Sequence, residues 1–557
     1  MITANGWGAV NAASIEVVNQ SIAKQKKLPQ NFLITTQGSL LGIDIFCTIS
    51  GDKTDKTKLC KWEKWEIVSG GSGEIIHMSC VLGDAYANVE VKGENKSSLY
   101  DVSKSDIRVS LNLKAIPDEN YHIKEKSGTA NKITAEEEKE IQILDSSVIN
   151  GLDEKKDKPI IDLIKDGFAD YFKEHLKEFS AAFGVIMLNG KIAEKKKDFQ
   201  WLMPTDVSYA FEQTHDNRHY FGLLTMLDND KITTQSQQID VGMFENMPKD
   251  VNSVLLISGE KFCKHVLLPS AVAIITGSKE EDFDIGKDKI SVTNNKELNW
   301  DKFKLENGSV IQPTIPKGAL EVNIDYNFIK IEIVGMHYSP SPGITVYMNL
   351  TQKVEVTVEK RKDGSYVLIT NNESAFQNNK ITTSVEVAKW LKITEIVVEV
   401  VSAVAAFACG ALAIGGKLAS KAATTVVEET VAEFELSEEA ISETAQAEIE
   451  AASEVIEAAA NEVASAATET TSGFFGSNFC KVTEHVCGFI AAAGGVSIGI
   501  TELVKYLKTK DYDNIPTLND FANLLLSNYA WPDLKEAKIV GGELMGVLLI
   551  YTNIPVD

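Results

Sequence analysis

The feature that most constrains this chain is one long run of alternating residues. Ile344, Val346, Met348, Leu350, Val354, Val356 and Val358 hold a single parity across fifteen residues, broken only at Gln352. Alternation of period two is the mark of a strand with one apolar face. At about 3.3 Å per residue such a strand spans roughly 50 Å, whereas strands of five or six residues are usual. A turn signal at Asp363-Gly364 and a second strand at Tyr366–Ile369 follow, so the run reads as one arm of a hairpin. Upstream, Leu320, Val322, Ile324, Tyr326 and Phe328 alternate before the phase shifts to Ile329, Ile331 and Ile333. A one-residue shift of this kind is expected of a β-bulge, which bends a strand. Long, bent, one-sided strands point to a highly curved antiparallel sheet.

The remainder of the chain divides around this region. Trp7, Val10, Val17, Val18 and Ile22 predict a short amphipathic helix from about Trp7 to Ile22. Leu33–Thr36 and Ile43–Ile49 read as strands, and Ile107, Val109, Leu111 and Leu113 alternate as a half-buried strand should. Residues 151–160 form a charged connector. After it Ile164, Phe168, Phe172, Leu176, Phe179 and Phe183 recur every three or four residues, predicting an amphipathic helix with an aromatic face. From about 200 to 385 the pattern is strands and turns.

Between about 391 and 508 the character changes. Val400–Gly416 is uncharged and rich in Ala and Gly, and residues 422–480 carry thirteen glutamates with no lysine or arginine. Within the acidic stretch Ala445, Ile449, Ala452, Ile456, Ala459, Val463 and Ala466 trace a heptad seam. A further apolar helix is expected from His485 to Leu507. The block reads as an all-helical insertion. The last stretch returns to a helix at Phe521–Leu526 and strands around Glu536–Ile550. The expected organisation is therefore 1–150 and 151–390 as two halves, 391–511 as the insertion, and 512–557 as the closing segment.

Charge and cysteine content exclude several functions. A net charge of −24 repels phosphate backbones, so no nucleic-acid partner is expected. Seven scattered cysteines without a Cys-x-x-Cys pair form neither a disulfide framework nor a zinc ribbon. The N-terminus lacks a basic region followed by an apolar one, which predicts a cytoplasmic protein or one released by a non-classical route.

No catalytic constellation survives inspection. The run from Gly410 to Leu418 has the glycine–lysine spacing of a phosphate loop wrong by one, and Leu418 stands where Ser or Thr must bind magnesium. His215 and His219 share a spacing that could ligate a metal on a helix, but EQTHDNRHY reads as a polar hairpin loop. Gly70-Gly71-Ser72-Gly73 leads into a strand, whereas a dinucleotide fingerprint leads into a helix. The chain is expected to be no enzyme, with no catalytic residues, no metal and no cofactor.

Two apolar features bear on ligands. The stripe Phe168, Phe172, Leu176, Phe179 and Phe183 either packs as ordinary core or lines an apolar tube; both readings stand at this level. The apolar helices 400–416 and 486–501 fall short of the about 20 residues a spanning helix needs. They pack as buried hairpin helices or insert into a membrane, and on the second reading Val400, Phe407, Ile414, Ile490 and Ile498 are the insertion candidates.

Five blocks then carry a resemblance. NGWGAVNAASIEVVNQSI at the start, CKWEKWEIVSGGSG (Cys60–Gly73), DFQWLMPTDVSYAF (Asp198–Phe211), SVLLISGEKFCKHVLLPS (Ser253–Ser270) and YAWPDLKEAKIVGGEL (Tyr529–Leu544) occur in order. Together they resemble the clostridial forty-seven-kilodalton accessory protein and its relatives, encoded beside botulinum-type neurotoxin genes. The resemblance implies an α+β, tubular lipid-binding (TULIP) super-roll, in which long curved antiparallel sheets wrap around long helices, with the helical insertion near the C-terminus. It implies a lipid or other hydrophobic small molecule as ligand, a toxin or other cluster-encoded protein as partner, and peripheral membrane contact. It transfers no agreed binding residue; Trp201, Pro204 and Leu268 match its motifs as fold determinants. A membrane-inserting toxin component and an assembly partner without a lipid remain the alternatives.

Overall fold

A computed structural model describes residues 2–387 and 518–556, apart from 41–42, 94–96, 120, 122–127, 137–138, 140, 176–177, 193, 276, 301, 305–309, 340–341 and 372–379. The expected helical insertion at 391–511 lies outside the described residues. The chain is α+β and dominated by antiparallel strands. It divides into two compact units: residues 2–258 with 522–541 and 549–557, and residues 259–521 with 542–548 and Met1. The boundary expected near residue 150 falls inside the first unit. Strand pairing is the reason, because Thr129–Ala135 takes Gly184–Leu188 as its antiparallel neighbour across that point.

In the first unit the opening segment departs from expectation. Ala9–Ser14 is a strand, and the helix is only Ile15–Gln25. The strand lies between His219–Met226 and Ser253–Ile257 in a six-stranded sheet. A central strand covered on both faces reads as a continuous small apolar run, and AVNAA satisfies a helical spacing just as well. Trp7, fully buried, donates its indole N–H to Ser236 O at 2.7 Å.

An eight-stranded sheet follows, in the order Asn31–Phe32, Cys60–Ser72, Ile75–Leu82, Asp106–Pro117, Thr129–Ala135, Gly184–Leu188 and Tyr529–Ala530, with Gln142–Ile143 also paired to Asp106–Pro117. Ile107, Val109, Leu111 and Leu113 all face the core, as their alternation predicts. A four-stranded sheet of Ile34–Leu40, Ile43–Ser50, Tyr86–Val91 and Ser97–Asp101 completes the unit, and the helix Lys158–His175 lies on its first strand.

The second unit is built on a nine-stranded sheet. Its spine is Ile344–Lys360, seventeen residues long. Ile344, Val346, Met348, Leu350 and Val356 are buried along one face. The Asp363-Gly364 turn forms as expected: Gly364 takes φ +88°, and the Asp363 carboxylate accepts hydrogen bonds from Ser365 N and Oγ. The expected bulge near Phe328 is instead a hairpin. Leu320–Asp325 pairs with Phe328–Tyr338, and Asp325 lies opposite Phe328 across a two-residue turn in which Tyr326 has φ +55°. A bulge and a tight turn shift the phase alike, and only the long-range register separates them. A register shift does occur between Ile333 and Met336, where Gly335 takes φ +71°.

The region 200–385 also contains a helical stretch that a reading as strands and turns misses. Gly259–Phe262 is α-helical, Cys263–Leu267 is one π-turn, and Leu268–Ile274 is α-helical again. Phe262, Cys263, Val266, Leu267, Ser270 and Ala271 are buried at helical spacing. The π-turn precedes Pro269, a residue with no N–H to give to a regular ladder.

Candidate ligand-binding site

The aromatic stripe is carried by the helix Lys158–His175. Pro159 suits a first turn, where its missing N–H goes unused. Ile161, Leu163, Ile164, Gly167, Phe168, Tyr171 and Phe172 form the buried face. Two glycines let helix and strand close up. A Cβ on Gly167 would lie 2.8 Å from Ile34 Cγ2, and one on Gly38 would lie 2.9 Å from Leu163 Cδ1.

The helix is shorter than its stripe. Phe179 and Phe183, expected on it, lie in the segment that leads into Gly184–Leu188, and Leu176 lies outside the described residues. The neighbouring strand claims this backbone. Phe183 N–H donates to Ile133 O at 2.8 Å, and Thr134 Oγ1 donates to Ala181 O at 3.2 Å. Both phenylalanines remain buried, so the apolar pattern survives the change of conformation.

The rings meet partners that the stripe alone does not reveal. Phe168 and Phe172 lie 5.8 and 5.9 Å from Trp62, and Phe168 lies 5.7 Å from Phe32. Trp65 contacts Phe172 at 6.2 Å and meets Phe179 edge to face at 4.8 Å. Trp62 and Trp65 are three residues apart, so a regular strand would place them on opposite faces. A register shift between Trp62 and Lys64 brings their rings within 4.7 Å of each other. Toward the surface Tyr171 stacks on His175 at 4.4 Å, and His175 Nδ1 lies 2.8 Å from Glu178 Oε1. Tyr171 donates its hydroxyl to Asn31 O at 3.3 Å, and burial pushes its pKa up to about 12. Phe183 stands apart, 6.1 Å from Phe221.

The first turns of the same helix border a hollow of about 570 Å³. Pro159, Asp162, Leu163 and Asp166 line it together with Gly38, Ser39 and Ile45, and the exposed Lys155, Lys156 and Lys158 stand on its rim. Lys158 bonds Asp162 at 2.7 Å, which holds its ammonium above the ordinary lysine range. The N-terminal end of a helix adds a partial positive charge to the three lysines.

Other expected sites resolve differently. His215 and His219 belong to the hairpin of Asp206–Gln213 and His219–Met226, as the polar-loop reading has it. Among the described residues no group of three or more His, Cys, Asp or Glu could hold a metal ion. Cys47, Cys60, Cys80 and Cys263 are buried free thiols. Trp201 is buried beside the strand that follows it. Val400, Phe407, Ile414, Ile490 and Ile498 lie outside the described residues. Among the described residues no helix is long and apolar enough to cross a membrane.

Known proteins place this architecture. Protein OrfX3 of Clostridium botulinum (strain Kyoto / Type A2) is 23% identical over 453 residues, covering 75% of this chain and 86% of its own length. Protein OrfX3 of Paraclostridium bifermentans is 24% identical over 304 residues, covering 50% and 56% respectively. The solved structure of P47 from Clostridium botulinum A2 superposes with a TM-score of 0.51 at 14% identity, over 99% of this chain and 98% of that one. P47 of Clostridium botulinum E1 gives 0.53 at 13%, over 99% of both. At such identities the two structures speak for the fold alone. The resemblance carried by the five sequence blocks holds: the chain belongs to the OrfX-like family, that of Protein OrfX2/OrfX3/P47, which it matches over residues 4–474.

Proposed function

We propose that this chain is a non-enzymatic carrier of a lipid-like amphiphile and works as an accessory component of a toxin gene cluster. On this reading the first unit is a tubular lipid-binding roll, with the helix Lys158–His175 laid along its sheet. The observation that carries the proposal is the pairing of two environments on one helix. Its early turns border a hollow of about 570 Å³ with a lysine rim, and its later turns carry Phe168 and Phe172 in a buried aromatic cluster. A volume of that size suits a small-molecule site. An anionic head group would rest on Lys155, Lys156 and Lys158, the last shared with Asp162, and the tail would run toward Trp65, the partly exposed member of the aromatic cluster.

Native mass spectrometry of the purified chain, with organic extraction of whatever accompanies it, tests this directly. A bound lipid at fixed stoichiometry, weakened when Lys155, Lys156 and Lys158 are all changed to Glu, supports the proposal. A clean apo mass after incubation with mixed liposomes overturns it, and would leave an assembly role with another cluster-encoded protein.

A further inference from the structure

The long strand of the second unit outruns its neighbour. Phe328–Tyr338 pairs with Ile344–Lys360 only as far as Glu355, which faces Phe328. One more rung follows, in which Val356 N–H donates to Asn327 O at 2.7 Å, and the neighbour then turns away through Tyr326. On the opposite side Tyr366–Asn371 stays paired as far as Lys360, and that hairpin closes with Arg361 N–H donating to Ser365 O at 2.8 Å. These two bonds set the parity of the backbone groups. Thr357, Glu359 and Arg361 turn theirs to the hairpin partner, and Val356, Val358 and Lys360 turn theirs the other way. Among the described residues no strand lies against that side of Val358 and Lys360.

This open edge borders a hollow of about 610 Å³, lined in part by Tyr326, Phe328, Val356, Val358 and Met545. Its walls are braced. Lys353 Nζ lies 2.8 Å from Asp325 Oδ2, Asn327 Nδ2 donates to Glu355 Oε1 at 2.9 Å, and Gly546 N–H donates to Tyr326 O at 3.1 Å. Tyr326 is held in the left-handed region with its ring half exposed. A bulky residue in that conformation is strained, and such strain collects at binding sites.

We infer that this slot receives an extended peptide segment of another protein, added as a strand to the edge at Val358 and Lys360. Such an edge asks for donors and acceptors alternating at strand spacing, which an extended backbone supplies. The guest's side chains follow from the host's faces. Val358 continues the row of Ile344, Val346, Met348, Leu350 and Val356, so the guest residue beside it is apolar. The row of Glu355, Thr357 and Glu359 lies on the other face and favours basic residues there. Charge also decides against a second copy of the chain: at −24 two copies repel, whereas a basic partner is drawn in. Lys360, on the edge itself, guards against pairing between copies.

The test uses the full chain and a fluorescein-labelled, N-acetylated hexapeptide of alternating Val and Lys. A second peptide carries N-methyl groups on the amides that would face the strand. The expected result is saturable binding by anisotropy, with Val358 and Lys360 amides protected in hydrogen exchange. N-methylation should weaken affinity about tenfold or more, since it removes donors and obstructs the ladder. Val358→Pro should do the same while circular dichroism and melting stay near the parent, because the Val358 N–H belongs to no existing ladder. Should that variant unfold, the two peptides decide the question without it. Equal binding of both peptides, undiminished binding by a folded Val358→Pro chain, or no binding at all overturns the inference. So does a concentration-dependent dimer that Val358→Pro abolishes, which would give the edge to a second copy.

Discussion

Gly167 and Thr36 lie so close across the helix–strand contact that a Cβ on the glycine would sit 2.9 Å from Thr36 Cγ2. Real Cβ atoms do not approach that closely, so the helix Lys158–His175 rests on the strand Ile34–Leu40 through a missing side chain. The contact sets the height at which Phe168 and Phe172 meet Trp62.

Two opposing effects make Gly167→Ala informative. Alanine favours a helix interior by about 1 kcal/mol over glycine. Overpacking a closed contact costs about 1–3 kcal/mol. With both Ile34 Cγ2 and Thr36 Cγ2 inside 3 Å, overpacking should win, and the melting temperature should fall. A rise in a thermal melt would mean that the helix lifts from the strand at little cost.

The aromatic cluster should behave as core in the ligand-free chain. Phe172→Ala removes a fully buried ring, and such truncations cost about 3–5 kcal/mol. Trp65→Ala should cost less in urea unfolding, because Trp65 is only partly buried. Equal losses would place the two rings in the same environment.

Alkaline pH should loosen the first unit. Burial pushes Tyr171 and Tyr209 up to about 12, against an ordinary value of about 10. Folded pKa values raised in this way hold their stabilisation fully below pH 10 and lose it as pH rises from 10 toward 12. Absorbance near 295 nm should therefore show these two phenols titrating late, and the melting temperature should drop across the same interval. Titration of all tyrosines near 10 without unfolding would contradict the burial.

Cys47, Cys60 and Cys263 are pushed up to about 12 by burial, and Cys80 is raised for the same reason. Alkylation needs the thiolate, so these four should resist iodoacetamide in the native chain at pH 8 and label only after denaturation. Peptide mapping by mass spectrometry reads the outcome site by site; native labelling at any of them would show local opening there.

Tyr326→Asn should stabilise the second unit by about 1 kcal/mol, since asparagine tolerates the left-handed region that tyrosine resists. Half of the Tyr326 ring is exposed, so little burial is lost. A lower melting temperature would show that the ring contributes more to the hollow than its backbone strain costs.

Much of the fold is legible in the chain, and the misses share one cause. The alternation at Ile344–Val358, the strand through Ile107–Leu113, and the Asp363-Gly364 turn depend on side chains close in sequence, and all three form as read. Ala9–Ser14 is read as helix because its two flanking strands arrive from residues 219–226 and 253–257. Phe179 and Phe183 are read on a helix because their backbone partner is a strand some fifty residues upstream, at Thr129–Ala135.

The amino-acid pattern by itself determined which residues turn inward, where the long hairpin folds back, and that Phe168 and Phe172 share a face. Tertiary structure alone decided what stands opposite them. Trp62 and Trp65 reach one cluster only because a register shift against Ile75–Leu82 reorients a strand, and the edge at Val358 is open only because Phe328–Tyr338 begins where it does. Apolar periodicity is a local property of the chain, whereas register and strand ends are set by pairing between distant segments, where one residue of slip reverses every face.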